Sequence, residues 1–272
     1  MNIRITLVLL CLIFIGCKEA PKEVDNNHLP AENDLKKEVV ASYPTELQQV
    51  FDAHGGLTAW KQQRTLSYVL PKKSGDETHT IDLYTRKDIV ETDAYKMGFD
   101  GTDVWLLDPN GNYKGDPVFY HNLMFYFYAM PFVLADDGIR YFETAPLIYE
   151  GKEYPGIGIG YQNNVGTSPE DEYFIHYDPS NQQMAWLGYT VTYKTGEKSD
   201  DIHWIRYDNW TNIDGVILPK SISWHTVEEG KVGELRNTVT FENIQLSKDA
   251  PNSAIFAKPE AAEVRLPVQP AN

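Results

Sequence analysis

The side chains best suited to chemistry in this 272-residue chain are dispersed. Its seven histidines stand at 28, 54, 79, 121, 176, 203 and 225. None falls in H-E-x-x-H or in a Cys/His metal-ligand spacing. Asp201 and His203 would share one face of a strand, with Asp200 beside them, but a metal there would need ligands from elsewhere in the chain. A polar strand face is the ordinary explanation. There is no G-x-S-x-G elbow and no G-x-x-x-x-G-K-[ST] phosphate loop. Gly156-Ile157-Gly158-Ile159-Gly160 has the glycine density of a phosphate loop, yet its apolar alternation, with no helix after it, points to a strand or bulge. Glu170-Asp171-Glu172 could offer carboxylates to calcium but lacks calcium-loop spacing, so it reads as a solvated acidic turn. His54, ahead of Gly55-Gly56, suits a helix C-terminus, where it can meet the dipole and the last carbonyls. The expectation is a non-enzymatic protein that needs no metal or cofactor.

The elements available to position these residues are mostly strands. A helix begins at Pro44, with Leu47, Val50, Phe51 and His54 at helical spacing, and stops at Gly55-Gly56. Leu57 to Gln63 allows another short helical turn that sets Trp60 against the core. From Thr65 onward period-two patterns dominate. Ala185, Leu187, Tyr189, Val191 and Tyr193 alternate with the residues between them, and Leu235, Val239 and Phe241 form another such face. The phase slips near Asn243, which predicts a bulge or strand end. Asp108-Pro109-Asn110-Gly111, Asp178-Pro179-Ser180-Asn181 and Asp214-Gly215 are turn signals, the last suited to a tight hairpin. Short connections imply antiparallel neighbours, and a doubly wound parallel sheet is disfavoured.

One apolar segment interrupts the strands, from Asp116 to Leu134. A helix reaching about Met130 and broken near Pro131 would be apolar on nearly every side and must therefore be buried. The expected fold class is mainly β (α+β): an open, strongly curved antiparallel sheet, an incomplete barrel, with an N-terminal helix and this apolar helix packed in its concave face. Aromatic residues recur on the facing strands, among them Trp186, Trp204, Trp210, Trp224, Tyr173, Tyr189, Tyr193 and Tyr207. The candidate lining of a cavity for an apolar ligand is Met124, Phe125, Phe127, Met130 and Phe132 from the helix. Leu187, Tyr189, Val191, Tyr193, Trp204 and Trp224 would come from the sheet. The same residues could instead close into a solid core, with exposed tyrosines and tryptophans serving a cell-surface module that binds a protein or glycan; a metal-dependent hydrolase using Asp201 and His203 is the remaining alternative.

The N-terminus carries the clearest signal. Met1-Asn2-Ile3-Arg4 gives a short positive start, and Ile5 to Ile15 is apolar apart from Thr6. That run is shorter than the about 20 residues needed to span a bilayer and suits a signal-peptide core. It ends in Phe14-Ile15-Gly16-Cys17, which resembles the lipobox of bacterial lipoproteins, with Phe14 where leucine is usual. The resemblance implies cleavage ahead of Cys17 within the 1–17 signal-peptide segment, lipid on Cys17 as the new N-terminus, and residence in the cell envelope as an outer-membrane lipoprotein. Residues 18–41, rich in Lys, Glu, Asn, Asp and Pro, read as a flexible tether. A single domain spans 42–259, and 260–272 is a C-terminal tail. Both cysteines, Cys11 and Cys17, lie in or at the end of the signal, so the domain has no disulfide available. The formal charge of −15 repels nucleic acid and anionic headgroups, so nucleic acid is excluded as a partner. The expected partners are the membrane, through Cys17, and an apolar small molecule or lipid, with the protein a monomer.

Several stretches resemble the DUF6503 group of exported lipoprotein-like proteins. They are Ala53-His54-Gly55-Gly56-Leu57-Thr58-Ala59-Trp60, Ser168-Pro169-Glu170-Asp171-Glu172-Tyr173, Tyr189-Thr190-Val191-Thr192-Tyr193 and His203-Trp204-Ile205-Arg206-Tyr207. Leu246-Ser247-Lys248-Asp249-Ala250-Pro251 with Ile255-Phe256 completes the set. Together they cover most of residues 43–259. The layout is similar to the LolA/LolB-like lipoprotein-carrier fold, which implies a curved sheet around apolar helices that can leave room for acyl chains. That implication is one of fold, which does not determine function alone.

Overall fold

The computed structural model describes residues 43–161, 170–193 and 195–267. Cys17 and the segments read from the sequence as a signal peptide and a tether lie outside the described residues, as do Ser168, Pro169 and Lys194.

The chain enters through α1 (Thr45–Ala53), whose Leu47, Val50 and Phe51 are buried at the predicted spacing. Gly55 and Gly56 end it, both at positive φ. The second helix, α2 (Leu57–Lys61), places Trp60 flat against Phe132, with ring centroids 4.8 Å apart. Five strands follow: β1 (Thr65–Leu70), β2 (Glu77–Asp82), β3 (Asp88–Glu91), β4 (Lys96–Phe99) and β5 (Val104–Leu107). The apolar segment comes next. The remaining strands are β6 (Ile139–Glu143), β7 (Leu147–Tyr149), β8 (Lys152–Tyr154), β9 (Gly156–Tyr161), β10 (Tyr173–Tyr177) and β11 (Met184–Tyr189). After them come β12 (His203–Ile213), β13 (Val216–Glu228), β14 (Lys231–Thr240), β15 (Glu242–Ser247) and β16 (Glu263–Arg265).

These strands form two open, curved, seven-stranded antiparallel sheets that do not close into a barrel, in the orders β15-β1-β2-β3-β4-β5-β16 and β14-β13-β12-β11-β10-β9-β6. Where a single sheet was expected, β14 and β15 make one nearly continuous run that leaves the edge of one sheet and becomes a member of the other. The crossing is at Phe241 and Asn243, the latter at φ 50°, where the phase slip was read. The predicted Asp214-Gly215 hairpin joins β12 to β13, both turn residues at positive φ, as a two-residue type I′ connection demands. Residues 263–265 are not tail: β16 pairs with β5 along Glu263↔Leu106 to Arg265↔Val104. Three exposed residues carry no periodicity from which a strand could be read.

The inner faces of both sheets meet around one core. Leu66, Tyr68, Leu70 and Ile81 contribute from one sheet, and Ile159, Ile175, Leu187, Ile205, Tyr207 and Leu218 from the other. The apolar segment fills the space between. It is not one helix but α3 (Pro117–Tyr120), α4 (Leu123–Tyr128) and a 3₁₀ turn at Phe132–Ala135. Asp116 starts α3 by accepting from the Val118 N–H at 2.9 Å, with Pro117 in the first turn. The break falls at His121, whose Nδ1 is held 2.7 Å from Asp88 on β3. Aromatic residues, weak helix formers, dominate the rest, so tertiary packing sets its path. No helix among the described residues is long and apolar enough to cross a membrane.

The outer faces carry smaller clusters. The 3₁₀ turn at Ser253–Phe256 packs Phe256 against Ile89 and Trp105, and the Trp105 Nε1–H donates to the Phe256 carbonyl at 3.0 Å. On the other sheet the β7-β8 hairpin supplies Tyr154 to a cluster with Ala185, Trp186 and Trp204. Gly156, Gly158 and Gly160 lie in β9. A Cβ on Gly158 would sit 2.2 Å from the Phe142 ring, so this glycine serves close packing between strands and not a phosphate.

Candidate functional site

The question left by the sequence was whether residues 117–134 seal the sheets or leave a cavity. They seal them. Met124, Phe125, Phe127, Met130 and Phe132 are all buried in the central core, together with Tyr128 and Leu134. What remains open is a groove of about 240 Å³ beside the seal. Phe119, Leu123, Tyr126 and Phe127 line it from the helical segment, and Tyr161, Tyr173 and Tyr193 from the strand side. Asp136, Asp137 and Asp171 also line it, together with Val118, Asn122 and Val133.

Each wall is held by identifiable bonds. The Tyr161 and Tyr173 rings meet edge to face at 5.9 Å, and Tyr173 also stacks on Tyr189 at 6.4 Å. Tyr193 lies over Phe119 at 5.0 Å and donates its hydroxyl to Asp116 at 2.9 Å. The carboxylate that caps α3 therefore also fastens the segment after β11. Asp171 accepts from the Thr192 N–H at 2.6 Å and from its hydroxyl at 2.7 Å. Burial nevertheless pushes its carboxyl above the ordinary range, outweighing both Thr192 bonds. Burial also raises Asp136, against the opposing pull of Arg86, which grips it through two bonds of 2.6 and 2.7 Å. The phenols of Tyr161 and Tyr173 are raised, first by desolvation and then by their negative neighbours. Beyond the Arg86–Asp136 pair lies a second hollow of about 320 Å³, lined by Trp60, Leu83, Tyr84 and Phe132 among others.

Of the sheet residues expected to line a cavity, Tyr193 reaches the groove. Leu187 is core, and Tyr189 stands behind Tyr173. Trp224 packs on Phe127 at 5.8 Å and donates its indole N–H to the Tyr189 hydroxyl at 3.0 Å, one layer further back. Two residues lie elsewhere. Val191 is 40% exposed, because β11 ends at Tyr189 and the alternation stops with it. Trp204 pairs with Gly188 and joins the outer cluster, since its register sets it opposite Ile205 in phase. Ala185 joins the same outer cluster, because the register shifts between His176 and Tyr177. Leu235 is 61% exposed on edge strand β14.

Asp201 and His203 are both exposed, with His203 beside the Tyr189 ring at 5.3 Å. Among the described residues no group of three or more His, Cys, Asp or Glu could hold a metal. His54 occupies the C-cap position of α1, its backbone N–H bonded to the Phe51 carbonyl at 3.0 Å, while its ring bonds to other elements. It is fully buried, with Nδ1 3.2 Å from the Ile217 carbonyl and Nε2 accepting the Met184 N–H at 3.1 Å. Among the described residues, Tyr84 is the sole aromatic among the large exposed apolar side chains, so they offer no aromatic patch.

A buried polar cluster on the inner face of β2 and β3 escaped sequence reasoning. Glu77 is 2% exposed and accepts from Lys72 at 2.7 Å, Tyr95 at 2.9 Å and Tyr120 at 2.6 Å, with His79 at 3.4 Å. Burial alone would raise this carboxyl, but the His79, Lys72 and Tyr120 bonds and the Lys72 charge hold it at about 2. His79 is lowered, desolvation outweighing Glu77. Alternation of Glu77, His79 and Ile81 could have flagged a buried face, but charged residues read as solvent-facing unless their partners are known.

No family profile matches the chain, and no curated protein is significantly similar to it. Among solved structures it is similar to a LolA superfamily protein from Nitrosomonas europaea, at 13% identity and a TM-score of 0.48, over 78% of this chain and 97% of that one. A DUF1329 family protein from Desulfovibrio piger gives 10% identity and 0.48 over the same shares. An outer membrane lipoprotein-sorting protein domain from Vibrio parahaemolyticus gives 9% and 0.35, over 75% of this chain and 99% of that one. At these values the fold description rests on this chain's own sheets.

Proposed function

We propose that this is an envelope lipoprotein of the DUF6503 group, built on a LolA-like sheet. In this reading it is lipidated at Cys17, tethered through residues 18–41, and binds an amphipathic ligand without acting as an enzyme. The observation that carries the binding reading is the aromatic groove. Its about 240 Å³ falls below the about 300 Å³ at which pockets begin to enclose drug-sized molecules. It suits one chain end or one headgroup and not an entire lipid. Its walls supply the mixture that ligand sites use: rings and aliphatic side chains, with a few polar groups among them.

Residues 42–272 hold every core cluster described above and form one compact unit. That unit, titrated with decyl glucoside below its micellar range, should bind one equivalent and quench tyrosine and tryptophan fluorescence. Tyr173→Ala and Leu123→Glu should abolish the signal. A flat titration of the wild-type unit with this probe and with its cationic and anionic ten-carbon counterparts sinks the binding reading.

A further inference from the structure

The groove has a charge preference written into its lining. Three carboxylates face it, at Asp136, Asp137 and Asp171. Only Asp136 has a cationic partner among the described residues, Arg86. Asp171 is held by a neutral threonine, and Asp137 is exposed with no ion pair among the described residues. Six of the other ten lining residues are aromatic, beside Val118, Asn122, Leu123 and Val133, and the face of an aromatic ring is the negative end of its quadrupole. Tyr126, Tyr161 and Tyr173 sit close enough to one another and to the aspartates to feel their charge, and among the described residues none of their hydroxyls has a hydrogen-bond partner. Two carboxylates without counter-ions beside several ring faces disfavour an anion and offer a neutral headgroup hydrogen bonds but no charge complement. They favour a cation whose charge is diffuse enough to shed water against the rings.

We propose that the groove selects amphiphiles with a cationic headgroup, an alkylammonium or a quaternary ammonium, seated between Tyr126, Tyr161 and Tyr173 and facing Asp171 and Asp137. The proposal rests on the binding reading above and names the chemistry of its ligand.

The burial that raises the Asp171 carboxyl agrees with this seat, because a bound cation would offset the desolvation of that carboxylate. Asp136 is already committed to Arg86 and fixes the geometry of that end.

The test compares three ten-carbon amphiphiles below their micellar concentrations on residues 42–272 by calorimetry: decyltrimethylammonium, decyl glucoside and decyl sulfate. The expected order is decyltrimethylammonium at least about tenfold tighter than the glucoside, with the sulfate weakest. Asp137→Asn with Asp171→Asn, which keeps an acceptor for Thr192, should shrink the ammonium preference to less than about threefold. Asp200→Asn with Asp201→Asn removes the same charge outside the groove and should keep the preference. Should the first pair fail to fold, exposed Asp137→Asn alone carries the test and should lower the preference by about threefold. Equal affinity for all three probes overturns the proposal while the binding reading stands. So does a loss of preference in the distant pair equal to that in the groove pair. No binding by any probe takes both down.

Discussion

His54 is fully buried between α1 and the second sheet, donating from Nδ1 to Ile217 and accepting from Met184 at Nε2. Both bonds require the neutral ring, since a protonated Nε2 would point a proton at the Met184 N–H. Burial lowers its pKa from 6.5 to about 4, with the Ile217 bond opposing in part. The folded value lies below the unfolded one, so between them the unfolded chain takes up a proton that the folded chain refuses. The contribution is therefore whole above pH about 6.5 and is lost as pH falls towards 4. Integrating that linkage from pH 7.5 to 5 gives a loss of about 2 kcal/mol from this one residue. Buried His176 is also lowered to about 4 and acts in the same direction over the same window. His54→Gln keeps an amide donor and acceptor but does not titrate. It should cost about 1 kcal/mol at pH 7.5, from less well aligned bonds. It should then lose about 2 kcal/mol less than the wild type on acidification to pH 5. Urea unfolding of both proteins at the two pH values measures the difference directly. Equal acid losses in variant and wild type would refute the account of a neutral buried ring.

Other perturbations have equally definite outcomes. Gly55→Ala should destabilise by more than about 2 kcal/mol in a thermal melt. Its φ is 98°, and the added Cβ would lie 2.0 Å from the Gly215 carbonyl oxygen. Glu77→Leu should cost about 3–5 kcal/mol, because Lys72 and three other donors lose their buried acceptor. In the wild type that carboxylate stabilises above the unfolded value of about 4.5, and its contribution should fade from there towards pH 2 in acid unfolding. Trp105→Phe removes the donor to Phe256 and should lose about 1 kcal/mol, visible as faster proteolysis around residues 253–265. Cys17→Ser should release the protein from the lipidated membrane fraction, measured by detergent partitioning and fatty-acid labelling.

What could be read from the sequence was local. α1, the Asp214-Gly215 hairpin and the slip at Asn243 follow from spacing and backbone conformation, which nearby residues set. The burial of the apolar segment was also legible, because a stretch such as Leu123 to Leu134 has no polar side to show to water. Its division into α3, α4 and a 3₁₀ turn was not. That division depends on Asp88, a partner on β3 that spacing along the segment does not reveal. The groove was missed for the same reason. Phe119, Tyr126 and Tyr161 become neighbours through sheet order, and Asp136 and Asp171 flank the strands and carry no periodic signal. Trp204 was misplaced because alternation tells which residues share a face but not which face is inside.

The run from β14 into β15 bears on when this chain can fold. Thr65 on β1 pairs with Ser247, so an early strand waits for one of the latest to reach it. Until then β1 is an open edge, and the second sheet lacks β14. Contacts this distant along a chain form slowly, because closing so large a loop precedes any gain from the pairing. A growing polypeptide with this arrangement has no early, self-sufficient half to lock into shape. The free edge of β1 stays open until the chain's C-terminal strands have been made.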